Sequence, residues 1–182
     1  MLGTYGIKSP HAVNEQKILS YAKEFNIPLE DTYVLDISYS SYLPSADTSL
    51  FKEQHKNHNQ PLQALYYDNV GQLQSFHINC YAGGFPNLNW NKNGLFDIFP
   101  PEQQAPIDTF IDLKQQLKYF KPLSVTKTFA TSNYDYVVIV FWNKFMNRQS
   151  KRLIQVVQEN CKLSKNKMVK LIYVNNDNMF VT

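Results

Sequence analysis

The stretch VVIVFWNKFMNRQSKRLI, Val137 to Ile154, decides the fold class of this chain. It opens on an apolar run typical of a strand covered on both faces, and it continues into a helix that aligns Ile154, Val157 and Cys161 on one side. Residues 169–177, VKLIYVNND, follow as another buried strand. Because a strand, a helix and a strand of this kind form a parallel crossover unit, the sequence predicts an α/β fold.

Length and composition favour one domain. A chain of 182 residues is long enough for one well-buried core and too short for two ordinary ones. The hydrophobic fraction of 43% is sufficient for such a core. The net charge of +3, from 18 basic and 15 acidic residues, is too small to indicate a nucleic-acid surface. We therefore expect no nucleic-acid partner.

One basic cluster lies at the start of the predicted helix. Its residues alternate with polar ones, so it is interpreted either as a solvated face or as a phosphate site. The cluster consists of Lys144, Arg148, Lys151 and Arg152.

The sequence contains no apolar run long enough to cross a bilayer. Its first ten residues, MLGTYGIKSP, lack the basic start and apolar centre of a signal peptide. We therefore expect a soluble protein, cytoplasmic by default. A periplasmic or envelope-anchored protein whose anchor lies outside this sequence is the alternative.

Three further stretches have helical patterns. Residues 14–28 form an amphipathic helix whose first residue, an asparagine, is suited to cap it. In residues 46–59, Asp47 or Thr48 supplies the cap, and Asp108 opens the third helix. The apolar residues expected to dock the last two helices are Leu50 and Phe51, and then Phe110, Leu113, Leu117 and Phe120.

Two stretches have strand patterns. Residues 32–43, TYVLDISYSSYL, predict one strand. Residues 61–80 alternate apolar and polar side chains on both sides of a turn at Asp68 to Gly71, which is a hairpin signature.

Val137 to Asp177 resembles the first half of the thioredoxin-like superfamily: an apolar strand ending in Phe141-Trp142, an active-site turn, a helix and a strand with a polar end. The family's second half, a proline, a hairpin and a closing helix, is similar to the segment that starts at Pro61. The resemblance implies that Pro61 is a cis-proline facing the active-site turn. It also implies a thioredoxin-like sheet flanked by helices.

The two halves occur here in the reverse of the family's order. Either the domain is circularly permuted, which is feasible because domain ends usually lie at the surface, or the hairpin is unrelated to the family's. On this interpretation residues 1–30 form an N-terminal helical extension and residues 31–182 the thioredoxin-like domain, with an aromatic loop at 85–107.

The family's chemistry needs a thiolate at the start of the helix and a second cysteine three residues later. Met146 and Gln149 occupy these places, and neither is a nucleophile. The family's buried carboxylate would fall near Val140. The resemblance therefore implies a domain without redox activity and without a cofactor.

The two cysteines of the chain, Cys80 and Cys161, are separate from this site. Cys80 shares a predicted strand face with Phe76 and Ile78, and Cys161 lies on the apolar face of the helix, so both are expected to be buried and inert.

Four residues raise the possibility of a metal site. His55 and His58 are three apart on a predicted helix and can face one ligand. His77 and Cys80 are three apart on a predicted strand and so point to opposite faces. We therefore expect solvated surface histidines and no metal.

The long irregular segment that follows Gly84 contains aromatic residues among Asn, Gly and Pro. Long irregular connections are often functional, and aromatic residues often anchor interfaces. Either these aromatics cap the core, or they form a recognition surface for another protein. They are Phe85, Trp90, Phe96 and Phe99.

The sequence thus predicts a redox-inactive, thioredoxin-like binding or assembly module that recognises another protein or an extended peptide. The alternative is a thiol-dependent peroxidase or reductase that uses Cys80 alone. The predicted contact residues are Pro61, Trp142, Phe145, Met146 and Trp90.

Overall fold

The computed structural model describes residues 7–45, 52–84, 87–107, 111–124 and 130–181. These residues form an α/β fold around one mixed six-stranded sheet in the order β3-β2-β5-β6-β1-β4. The strands are β1 (Thr32–Leu35), β2 (Gln63–Asp68), β3 (Leu73–Ile78), β4 (Phe120–Pro122), β5 (Tyr136–Trp142) and β6 (Val169–Asn175). The prediction of an α/β fold is confirmed.

The strand β5 occupies the middle of the sheet. It runs parallel to β6 and antiparallel to β2, and all its residues after Tyr136 are buried. β1 continues the parallel part beside β6, and β4 is antiparallel to β1 at the edge. The predicted hairpin is confirmed as β2 and β3, with Gly71 in its turn at a φ of +86° that favours glycine.

Helices cover both faces of the sheet. Two buried clusters show the division: α1, α6 and the segment from Leu88 to Phe96 pack on the first face, whereas α2 and α5 pack on the second. The predicted first helix is confirmed, and the Asn14 side chain accepts the Lys17 N–H at its start. The helices are α1 (Glu15–Glu24), α2 (Tyr39–Ser45), α3 (Lys52–His58), α4 (Asn79–Ala82), α5 (Leu113–Leu117) and α6 (Asn147–Lys162).

The helix α1 belongs to the core of the domain. Ile18, Ala22 and Phe25 lie in the same buried cluster as Trp142, and the Phe25 and Trp142 ring centroids are 5.3 Å apart. The stretch assigned to an N-terminal extension thus packs directly on the sheet.

Two predicted elements have different bounds in the structure. The strand predicted over residues 32–43 ends at Leu35, because the Asp36 carboxylate accepts the Ser38 N–H at 2.8 Å and turns the chain into α2. The helix predicted from Asp108 begins at Leu113, with Asp112 as its cap, and Phe120 lies in β4. The predicted roles of Asp47, Thr48, Leu50, Phe51, Asp108 and Phe110 lie outside the described residues.

The aromatic segment, described here over residues 87–107, covers the first face. Trp90 and Phe96 are each only 3% exposed and belong to the core cluster, and Phe99 packs against it. The recognition-surface interpretation is therefore wrong for Trp90 and Phe96, and the core-capping alternative holds. Phe85 lies outside the described residues.

Candidate functional site

The carboxyl ends of the parallel strands are where open α/β sheets usually bind ligands. Here a network of amides lies at the ends of β5 and β6. Asn143 Nδ2 and Asn176 Nδ2 donate to the Pro61 carbonyl oxygen at 3.0 and 2.9 Å, and Asn143 Nδ2 also contacts Asn176 Oδ1 at 3.1 Å. Pro61 thus lies against the turn that follows β5.

Pro61 follows a trans peptide bond, so the prediction that it is a cis-proline is wrong. Among the described residues, the one cis peptide bond precedes Pro100. Two side-chain amides donate to the Pro61 carbonyl and fix its position against the turn.

The turn from Asn143 to Met146 has internal partners for its backbone donors. The Asp177 carboxylate accepts the Lys144 N–H through both oxygens at 2.9 Å and the Phe145 N–H at 3.3 Å. Asn143 Oδ1 accepts the Met146 N–H at 2.9 Å. Free N–H groups before a helix attract anions, but here the chain supplies its own carboxylate.

Asp177 is itself almost completely buried. Burial raises the pKa of its carboxyl above the ordinary value, and the hydrogen bonds from Asn175 and from the backbone of Lys144 and Phe145 oppose this rise. The carboxylate therefore serves as an internal cap of the turn.

The two positions assigned to the redox pair lie next to this turn. Met146 is buried directly before α6, and Gln149 is buried in its first turn. The Gln149 Oε1 accepts the Leu88 N–H at 3.2 Å, so this side chain fastens the aromatic segment to α6. Neither position provides a nucleophile.

Most of the predicted contact residues are buried. Trp142 lies beneath α1, and Phe145 packs against Phe180 with ring centroids 5.4 Å apart. Pro61 is half-buried. The prediction that Trp142, Phe145, Met146 and Trp90 form an exposed contact surface is therefore wrong, because all four side chains are buried in the core cluster of the first face.

The two cysteines have different surroundings. Cys80 is exposed in α4, where its Sγ donates to Gln60 Oε1 at 2.9 Å. The prediction that Cys80 is buried is wrong, because β3 ends at Ile78 and the chain turns outward. Cys161 lies on the apolar side of α6 as predicted, and burial raises the pKa of its thiol to about 12.

The histidines are partly in the core. His58 stacks on Phe76 with ring centroids 4.7 Å apart, and His77 lies 2.9 Å from Ser75 Oγ through Nε2. Both are buried, so the expectation of solvated surface histidines is wrong for them. Within the described ranges, no group of three or more His, Cys, Asp or Glu side chains could hold a metal ion.

Two members of the basic cluster, Lys144 in the turn before α6 and Lys151 in α6, bind to α1. Lys144 Nζ and Lys151 Nζ lie 2.5 and 2.9 Å from the Glu24 carboxylate, and both ammonium groups lie over the Phe25 ring. Hydrogen bonds from Lys144 and then Lys151 lower the pKa of Glu24. These two lysines are thus engaged within the fold.

An open groove of about 850 Å³ lies at the carboxyl end of β1, between the start of α1 and the residues that follow β6. Ile37, 68% exposed, and the exposed Val181 stand at its rim with the Asp36–Lys121 ion pair, whose N–O distance is 2.5 Å. This groove was not predicted, because the strand predicted over residues 32–43 included Ile37, whereas β1 ends at Leu35. Its floor contains Val13, Ile18, Val34 and Leu35.

Comparison with known proteins finds no matching family model, no matching curated protein and no matching solved structure. Among the helices of the described part of the chain, none is long and apolar enough to cross a membrane.

Proposed function

We propose that this protein is a redox-inactive, thioredoxin-like binding module that recognises another protein or an extended peptide. The observation that carries the proposal is the closed turn after β5. Its backbone donors are taken by Asp177 and Asn143, and its two redox positions hold the buried side chains of Met146 and Gln149. A site built in this way has no group that can attack a substrate.

The position of the hairpin formed by β2 and β3 favours one of the two alternatives. It supports a circularly permuted thioredoxin-like domain over a domain whose hairpin is unrelated to the family's. β2 pairs directly with β5 from Gln63↔Phe141 to Asp68↔Tyr136, so the hairpin and the crossover unit share one sheet. Pro61, just before the hairpin, faces the turn, which is the place that the resemblance implies for the family's proline.

The groove is the region that we assign to the partner. The groove lies where β1 ends and the chain turns into α2. The carboxyl ends of parallel strands are the usual ligand position of an open α/β sheet. Apolar floor residues and the exposed Ile37 side chain suit an extended segment that inserts an apolar side chain.

Selection from a phage-displayed library of random peptides tests this proposal. Immobilised wild-type protein should enrich peptides that share an apolar residue, and Ile37→Ser protein should not retain them. Val70→Ser is the matched control, because Val70 is 72% exposed in the hairpin turn at the opposite edge of the sheet. Enrichment of no peptide, or equal retention by both variants, would contradict the proposal.

The exposed thiol of Cys80 favours one alternative, a peroxidase or reductase that uses this cysteine alone. Its Sγ contacts Gln60, the residue before Pro61, so the thiol lies near Pro61. An insulin-reduction assay with a thiol reductant separates the two functions. We expect no turnover; turnover that disappears in Cys80→Ser would establish the enzyme and overturn redox inactivity.

A further inference from the structure

His77 is a fully buried titratable residue that the proposed function does not use. It lies on β3 and points to the first face, where its Nε2 is 2.9 Å from Ser75 Oγ. Its Nδ1 is also buried and has no hydrogen-bond partner. A neutral ring tolerates this environment, whereas an imidazolium would bury an unpaired charge.

The aromatic segment covers His77. The Phe96 ring lies on the imidazole with centroids 4.3 Å apart, and the Tyr66 ring approaches edge-on at 6.3 Å. Tyr66 lies in β2, which pairs with β3 on one side and with β5 on the other. Phe96 lies in the aromatic segment, which forms no strand. Moving Phe96 therefore costs less free energy than moving Tyr66.

Side-chain hydrogen bonds fasten the segment to α6. Asn160 Nδ2 donates to the carbonyl oxygens of Phe96 and Ile98 at 2.8 and 2.6 Å, and Gln149 accepts the Leu88 N–H. Between residues 87 and 99 the described backbone forms one short 3-10 turn and no strand. Local opening free energies are lowest where few backbone hydrogen bonds and no ladder hold the chain.

We infer that His77 makes the segment of residues 87–99 an acid-sensitive cover, which opens from the first face when the imidazole is protonated. Opening lets water reach Nδ1 and exposes Trp90 and Phe96, the aromatic side chains that are buried in the closed state. The inference concerns the fold and does not depend on the proposed binding function.

The charges around His77 do not oppose this behaviour. Tyr66 from β2 is the titratable side chain in ring contact with it, and burial raises the pKa of Tyr66, so that group stays neutral. Cys161 from α6, which interacts with Tyr66, stays neutral because burial also raises the pKa of its thiol. In the segment, the Asp97 carboxylate is exposed and accepts a hydrogen bond from Asn91.

The direction of the pH effect follows from the imidazole. Burial lowers the pKa of His77 from 6.5 to about 3 in the closed state. Because this pKa is depressed, the neutral imidazole contributes to the stability of the closed state. The contribution is fully present above about pH 6.5 and is lost as the pH falls toward about 3. The opening constant should rise about tenfold for each pH unit within this window.

Hydrogen exchange measured by mass spectrometry, corrected for the intrinsic pH dependence of exchange, tests the inference. Between about pH 6.5 and 5, protection of residues 87–99 should fall about 15-fold, because the ring is already half protonated in the open state at pH 6.5, while the amides of β5 and β6 keep theirs. The matched variants His77→Phe and His77→Gln, which carry no titratable ring, should lose this dependence; the second serves if the first does not fold.

Three results would overturn the inference. They are constant protection of the segment in the wild-type protein, the same pH dependence in the folded variant, and an equal loss of protection in the segment and in β5 and β6. The last result would mean that acid unfolds the whole domain instead of opening the cover.

Discussion

The Asp177 carboxylate accepts the backbone N–H of Lys144 through both of its oxygens, each at 2.9 Å. The contact links residues 33 positions apart and ties the end of β6 to the turn after β5. The Asp177 carboxylate thereby occupies the position before α6 where an anion or a reactive group could otherwise bind. This closure supports the proposal that the turn has no redox role.

Replacing the carboxylate tests the closure. Asp177→Asn should lower the free energy of unfolding by about 2 kcal/mol, because an amide nitrogen would face the Asn175 Nδ2 donor that now lies 2.8 Å from the carboxylate. Urea unfolding at neutral pH measures the change. Asp97→Asn is the control, since that exposed carboxylate accepts one hydrogen bond from Asn91. An unchanged stability for Asp177→Asn would contradict the assigned role.

The buried position of Trp90 leads to a second prediction. Trp90→Ala should destabilise the fold by about 3 kcal/mol or more, because it empties the space of a large core side chain. Tyr81→Ala, at an exposed aromatic residue, should change stability little. Thermal unfolding of both variants makes the comparison. A nearly unchanged melting temperature for Trp90→Ala would show that the side chain is exposed in solution.

The crossover unit was predictable from sequence because its signals are local. A continuous apolar run marks β5, and helical periodicity marks α6. The burial of Trp90 was not predictable, since it depends on Gln149 and Asn160 binding the segment from α6, more than 60 positions away. A pattern of aromatic residues among Asn and Gly does not reveal which distant side chains will hold it.

The candidate site was predictable only in part, for the same reason. Pro61 lies against the turn, as the resemblance implied, but it follows a trans peptide bond and not the implied cis bond. The closure by Asp177 and the groove beside Ile37 were missed. Both depend on the path that the chain takes after a strand ends, and short polar connections carry a weak sequence signal.

The register of the helix start gives a third prediction. The Gln149 N–H donates to the Met146 carbonyl at 2.8 Å, so these positions follow each other by one helical turn. The double variant Met146→Cys with Gln149→Cys should therefore form an intramolecular disulfide on mild oxidation, detected by mass spectrometry after alkylation. The Met146→Ser with Gln149→Ser variant controls for lost packing. A folded double-cysteine protein that stays reduced would count against this register.

Calorimetric titration of one library-selected peptide tests the binding function most directly. The peptide should bind the wild-type and Val70→Ser proteins with the same affinity, and Ile37→Ser should weaken binding at least about tenfold, because truncation removes an apolar contact of roughly 1.4 kcal/mol or more. The melting temperatures of the variants should match, since both side chains are exposed. Equal affinities for Ile37→Ser and the wild-type protein would contradict the account.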